Sequence, residues 1–379
     1  MKKILFFIIL FLSFFKTCNA LELTKYSKSA ILIEPTTKTI IYEVNKDERL
    51  APASMTKMMT MLLIMEALDN GKISLNDMVN ISKNAAGMGG SQVFLEENSQ
   101  IEVEQLLKGI AIASGNDAAV AMAEHISGSV DAFVVEMNKK VKELNLKNTN
   151  FVNVHGLDAD NHYSSAYDMA IIATELIKHE KVLEYTSLYE DYLIKPDGNK
   201  TWLVNTNKLV RFYEGVDGLK TGFTSSAKYC LTATAIKSNI RFITVTMGVD
   251  TSEHRSLDTT NMLNYAFANY KLNKILNKED IVGKINIKKG KKDSSTISAK
   301  EDVTDLINKN EAKKYSYNIN TNNITAPIEK GEVVGSLEVV DNSGKVVKIV
   351  DLIINESIEK HNFFSLFYDT FKKIINGYF

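Results

Sequence analysis

The sequence predicts an α/β (α+β) domain over residues 21–271, then a small all-β domain over 272–358 and an amphipathic helix over 359–379. Three observations carry that division. Helix-period runs and β-rich runs alternate as far as Tyr270. Beyond it the long helical patterns stop, and short alternating runs with polar turns replace them. From Phe363 onward the apolar residues recur at intervals of three and four. A length of 379 residues suits two domains or one large one, and a hydrophobic fraction of 45% argues against disorder. The formal net charge is −1, and the lysines alternate with Glu, Asp and Asn as a solvated surface does, so no field drives nucleic-acid binding.

The chain opens on Met1-Lys2-Lys3 and a nearly unbroken apolar run over residues 4–15, closed by Cys18-Asn19-Ala20 with small residues where a signal peptidase reads. This predicts a secretory leader over residues 1–20, because the apolar run is too short to span a bilayer comfortably. A retained anchor and a lipidated Cys18 are the alternatives. Cleavage after Ala20 leaves Cys230 as the only thiol, so an exported chain has no internal disulfide. Zinc is disfavoured: there are no cysteine pairs and no His-x-x-x-His spacing among the six histidines. Nothing in the sequence calls for a metal or another cofactor.

Residues 29–44 read as a hairpin, with Ala30-Ile31-Leu32-Ile33 and Thr39-Ile40-Ile41-Tyr42 on either side of Glu34-Pro35-Thr36-Thr37. Residues 54–68 read as a helix that is apolar on nearly every face, which places it at a domain centre. A helical pattern over 103–126 is interrupted at Ser114-Gly115-Asn116, and another runs over 166–179, entered after Ser164 or Ser165. Residues 231–235 and 241–249 read as adjacent strands with their turn at Lys237-Ser238-Asn239, followed by a closing helix over 256–270. In the β-rich part the runs are 284–287, 315–319, 336–340 and 346–354, with Asp341-Asn342-Ser343-Gly344 as the turn between the last two. The final segment gathers Phe363, Phe364, Leu366, Phe367, Phe371, Ile374 and Ile375 on one helical side, with Asp369, Lys372, Lys373 and Asn376 on the other. Such a helix suits the membrane interface, the alternative being a terminal helix packed on its own domain.

Three short motifs carry chemistry. Ser54-Met55-Thr56-Lys57 follows Pro52 at the expected start of the buried helix, and a spacing of three puts the serine hydroxyl and the lysine amine on one face. A serine needs a base to become a nucleophile, and Lys57 serves as one only when burial and a nearby cation lower its pKa. In Ser114-Gly115-Asn116, the Ser114 hydroxyl can relay a proton between Lys57 and a leaving amine, while Asn116 can orient Lys57 and bond a substrate amide. In Lys220-Thr221-Gly222, expected at the start of a strand, Lys220 supplies the nearby cation and Thr221 can donate to a carboxylate. Gly222 leaves room for an incoming peptide backbone pairing with that strand. Each motif alone is weak. The three in this order are a recognised signature of β-lactamases and penicillin-binding proteins.

At these residues the chain resembles the serine D,D-carboxypeptidases, the low-molecular-mass penicillin-binding proteins. The likeness extends through residues 49–60 around Ser54, Ser114-Gly115-Asn116-Asp117-Ala118-Ala119, His155-Gly156-Leu157, residues 163–170, and Gly215-Val216-Asp217-Gly218-Leu219-Lys220-Thr221-Gly222. It covers roughly residues 23–270 and continues through Ala326-Pro327-Ile328-Glu329-Lys330-Gly331. The resemblance implies an antiparallel sheet flanked by helices, acylation of Ser54 by a peptidoglycan pentapeptide ending in D-Ala-D-Ala, hydrolysis of the acyl-enzyme, and covalent capture by β-lactams. It makes Arg255 a candidate for binding the substrate's terminal carboxylate, at the extracytoplasmic face of the membrane. Two departures stand out. Phe223 follows the Lys-Thr-Gly motif where many relatives have histidine, and Thr206 stands where some have arginine. His155 is expected to fix a loop, and His125, His162, His179, His254 and His361 to lie at the surface.

The same motifs would serve a class A β-lactamase, but those enzymes carry a glutamate three residues before a Leu-Asn pair. In Val141-Lys142-Glu143-Leu144-Asn145 that place is held by Val141. A D,D-endopeptidase of crosslinked wall shares every motif. A wall-binding protein with an idle Ser54 would have no reason to keep Ser54, Lys57, Ser114, Asn116 and Lys220 together.

Overall fold

The computed structural model describes residues 21–362 and, beyond them, 367, 371, 372, 374 and 375. The expected leader lies outside the described residues. The described residues form two compact units, one from residues 21–33 and 40–265 and the other from 34–39 and from 266 onward.

The first unit is built on a five-stranded sheet whose order in space is Thr39–Val44, Ser29–Glu34, Ile240–Val249, Lys228–Lys237, Val216–Thr224. The pairings of Ser29–Glu34 with Ile240–Val249, of Ile240–Val249 with Lys228–Lys237, and of Lys228–Lys237 with Val216–Thr224 are all antiparallel. Ser238 and Asn239 both take positive φ (48° and 61°), the two-residue turn geometry that matches the twist of a hairpin. Residues Phe242, Ile243, Thr244, Val245, Thr246 and Met247 have no exposed surface, so both faces of their strand are covered.

The expected central helix is α-helical only over Lys57–Asp69, preceded by a 3-10 turn over Ala53–Thr56. Met58, Met59, Met61, Leu62, Ile64 and Met65 point to different sides of it, and all are buried in one core. The interrupted pattern resolves into helices Val103–Ala111 and Asn116–Ser127, and Ala166–Leu176 starts at Ser165, whose hydroxyl accepts from the backbone N–H of Asp168. The closing helix begins earlier than expected, at Ser252, and ends at Asn269. Its buried stripe is Arg255, Asp258, Thr259, Met262, Leu263 and Ala266, spaced at three and four.

The second unit holds a six-stranded sheet ordered Tyr315–Thr321, Val333–Asp341, Val346–Ile354, Ser294–Ala299, Ile281–Lys288, Ile324–Thr325, and a two-stranded pair Tyr270–Leu276 with Val303–Asn308. Its core is formed by Ile285, Ile297, Leu337, Val339, Leu352 and Ile354. The turn expected at 341–344 is there, tied by the Asp341 carboxylate, which accepts from the backbone N–H of Ser343 and of Lys345. At the far end of the chain Phe367, Phe371, Lys372, Ile374 and Ile375 are helical and exposed.

Candidate active site

Ser54 sits in the 3-10 turn and Lys57 is the first residue of the helix that follows. Two tight approaches hold that turn. Gly156, with φ of +91°, packs so closely that a Cβ there would lie 1.8 Å from the Ala53 carbonyl oxygen. Gly222 packs from the sheet side, where a Cβ would lie 2.8 Å from the Pro52 carbonyl oxygen. Ala53 itself has φ of +47° and Ser114 has φ of +64°, left-handed conformations that a non-glycine residue keeps only when its surroundings enforce them.

The Lys57 amine is fully buried and has three neighbours. It lies 3.0 Å from Ser54 Oγ, 2.6 Å from Asn116 Oδ1 and 2.8 Å from the His155 carbonyl oxygen. The Asn116 amide is oriented by its Nδ2, which donates to the Gly89 carbonyl at 2.7 Å, so Oδ1 faces the lysine. An amide oxygen and a peptide carbonyl can only accept. They therefore take two N–H groups of Lys57, and a neutral amine has two N–H groups and one lone pair. The lone pair is left for the Ser54 hydroxyl. Burial first, and the charge of Lys220 second, hold Lys57 well below the ordinary lysine range, while Asp117 opposes them.

Lys220, Thr221 and Gly222 lie in mid-strand, not at the strand start as the sequence implied, and that strand, Val216–Thr224, is the edge of the sheet. Lys220 is buried and pushed down to about 7, by burial first and then by Arg255. The Thr221 hydroxyl donates to Thr206 Oγ1 at 2.6 Å. Arg255, on the first turn of helix Ser252–Asn269, is 7% exposed, and its Nε has no hydrogen-bond partner among the described residues. No carboxylate among the described residues forms an ion pair with it. Two buried cations with no ion-pair partner among the described residues make a place for an anion. Ser54, Ser114, Thr206, Thr221, Phe223 and Arg255 all line one cleft of ≈ 630 Å³. Phe223 stacks at a tilt on Tyr229, 4.4 Å between ring centres, and the Arg255 guanidinium stands 6.0 Å from the Tyr229 ring.

The structure thus brings all eight expected site residues into one region, with one qualification. Ser114 Oγ is buried but has no hydrogen-bond partner, so it is not joined to Lys57 in this state. His155 does fix its loop, its Nδ1 accepting from the Leu157 N–H at 3.2 Å. His162 is not at the surface. It is 6% exposed, its Nδ1 accepts from the Val152 N–H and its Nε2 donates to Thr56 Oγ1, so the buried ring is neutral and pushed down to about 4. Sequence reasoning missed the backbone acceptors at Gly89 and His155, which no residue type announces. It also missed Asp117, whose buried carboxylate accepts from the N–H groups of Val93 and Leu95 beside Asn116. The only signal for it was its place next to Ser114-Gly115-Asn116.

The family described as D-alanyl-D-alanine carboxypeptidase matches residues 16–251. The chain belongs to that family. Residues 270–360 match the C-terminal domain of penicillin-binding protein 5. The D-alanyl-D-alanine carboxypeptidase DacF of Bacillus subtilis is 50% identical over 344 residues, 90% of this chain and 88% of that protein. Among solved structures, penicillin-binding protein 5 of Haemophilus influenzae superposes with a TM-score of 0.79 at 36% identity, over 90% of this chain and all of that one. Penicillin-binding protein D2 of Listeria monocytogenes, solved in its ampicillin-bound form, superposes with a TM-score of 0.58 at 30% identity, over 64% of this chain and 97% of that one. As a member of the family the enzyme is a serine-type D-alanyl-D-alanine carboxypeptidase, a hydrolase with the penicillin-binding fold.

Proposed function

We propose that Ser54 is the nucleophile with which this carboxypeptidase removes the terminal D-alanine of peptidoglycan stem peptides, and that Lys57 is its base. The observation that carries this reading is the set of three contacts on Lys57. With Asn116 and the His155 carbonyl using both N–H groups, neutral Lys57 has its lone pair free only toward Ser54. Lys57 takes the Ser54 proton as Oγ attacks the carbonyl of the penultimate D-alanine. The proton passes to the nitrogen of the leaving D-alanine, with the unpartnered Ser114 hydroxyl as the relay. Water then hydrolyses the acyl-enzyme. The edge strand Val216–Thr224 gives the substrate backbone a partner, and Arg255, Lys220 and Thr221 take its terminal carboxylate.

A β-lactam acylates the same serine, a reading supported by the ampicillin-bound relative. The work is placed at the extracytoplasmic face of the membrane, reached through the leader over residues 1–20 and held by the terminal helix. No single helix among the described residues is long and apolar enough to cross a membrane.

The test is incubation with a D-Ala-D-Ala pentapeptide, with a crosslinked dimer as a parallel arm, and mass spectrometry of the products. Release of D-alanine from the pentapeptide is expected, and cleavage of the dimer alone would make the enzyme an endopeptidase. Ser54→Ala is expected to abolish both D-alanine release and penicillin labelling while the fold persists. Labelling of the alanine variant at the parent's rate would reject Ser54.

A further inference from the structure

We infer that Asp258 is a positioning residue for the terminal-carboxylate site, acting by clamping residues 25–27 against the helix that carries Arg255. The Asp258 carboxylate has no exposed surface. Its Oδ1 accepts from the Lys25 N–H at 3.0 Å, and its Oδ2 accepts from the N–H of Tyr26 at 3.0 Å, the N–H of Ser27 at 2.8 Å and the Ser27 hydroxyl at 2.7 Å. Among the described residues no lysine or arginine pairs with it. Its charge is met by four donors from a segment of chain more than two hundred positions away.

The segment has a second attachment on the same helix. The Tyr26 ring lies flat on the His254 ring, 3.6 Å between centres and 3° between planes, and His254 Nδ1 is 2.7 Å from Asp250 Oδ1. The next residue, Lys28, donates its N–H to the Met247 carbonyl and so begins the sheet pairing of Ser29–Glu34 with Ile240–Val249. Residues 25–28 therefore join the last central strand to the first turns of helix Ser252–Asn269.

Arg255 lies between the two attachments, one residue after His254 and three before Asp258. Three residues are about 4.5 Å along a helix axis and bring the two side chains to the same side. A guanidinium that must meet a carboxylate in fixed fork geometry is sensitive to the rotation and height of its helix. The clamp fixes both. In Asp258→Asn, one side-chain oxygen becomes an NH₂ group facing backbone donors, so part of the clamp must open.

This inference rests on the reading of Arg255 as the carboxylate ligand, and the test separates the two. Steady-state kinetics are measured with diacetyl-Lys-D-Ala-D-Ala and with the matched diacetyl-Lys-D-Ala thioester, whose leaving group has no carboxylate. Asp258→Asn is expected to raise KM for the peptide roughly tenfold while kcat stays within about twofold, with little change on the thioester. Tyr26→Ala, which leaves all four Asp258 bonds in place, is expected to shift KM in the same direction by less, and covers the case in which Asp258→Asn fails to fold. Equal losses on both substrates, or unchanged KM in both variants, would overturn the inference. Arg255→Ala is the reference: if it fails to discriminate the two substrates, the carboxylate reading falls and the clamp's role falls with it. If it discriminates and the clamp variants do not, only the clamp's role falls.

Discussion

Lys57 Nζ stands 3.0 Å from Ser54 Oγ because the two residues straddle the junction of a 3-10 turn and an α-helix. In 3-10 geometry side chains three apart eclipse one another, whereas in an α-helix they are offset. The tight turn over Ala53–Thr56 thus aims a serine and a lysine at the same point. Gly156 and Gly222 make it possible by leaving room on both sides.

The two buried lysines are expected to give acylation a bell-shaped dependence on pH. If Lys57 is the base, it acts when neutral, and kcat/KM is expected to rise with pH through its lowered pKa. On the proposed reading Lys220 attracts the substrate carboxylate only when charged, and kcat/KM is expected to fall as pH rises through its value of about 7. The lysines interact, and each limb reports the pair. Lys220→Arg keeps its charge and is expected to move the falling limb upward, whereas Lys57→Arg should lower acylation by ~10²-fold or more at every pH. Penicillin acylation rates across pH for both variants measure this. A falling limb unmoved by Lys220→Arg would assign it to another group.

Gly156→Ala is expected to be more damaging than its distance from the reacting atoms implies. The new Cβ would overlap the Ala53 carbonyl, and the positive φ alone costs about 1–2 kcal/mol. The turn carrying Ser54 must shift to relieve the overlap. Urea denaturation should show the loss of stability, and penicillin labelling should slow with it. A variant that matches the parent in both would show that the loop at 156 yields without disturbing Ser54.

A chain ending at Asn362 is expected to lose attachment to anionic liposomes and keep its activity on short D-Ala-D-Ala peptides. The cut belongs there because Gly290 bridges Lys360 and the His361 N–H donates to the Lys289 carbonyl, so a break near Glu359 would disturb the β-rich unit. Phe367, Phe371, Ile374 and Ile375 are each more than half exposed. Burial of such side chains in an interface stabilises by roughly 1.5–3 kcal/mol apiece when complete. Flotation measures the attachment. Equal partitioning of the truncated and full-length mature chains would mean that the tail does not hold the protein to lipid.

The sequence by itself determined the family, the order of the motifs and the buried character of the helix after Ser54, because these depend on residue type and local spacing. A run such as Met58-Met59-Thr60-Met61-Leu62 reads as a core helix wherever it occurs. Some of the β-rich unit was legible too, but Ser294–Ala299 was not, since its composition is mostly polar and small and its strand form comes from pairing with Ile281–Lys288 and Val346–Ile354. Tertiary structure alone decided where the backbone hydrogen-bond acceptors of the site lie. The carbonyls of Gly89 and His155 belong to the backbone, and only folding brings them to Asn116 and Lys57. It alone decided that His162 is buried and neutral, because a lone histidine carries no mark of the Thr56 and Val152 groups it will meet. It alone set Asp258 beneath residues 25–27, a contact between the two ends of the catalytic unit that no local pattern can encode.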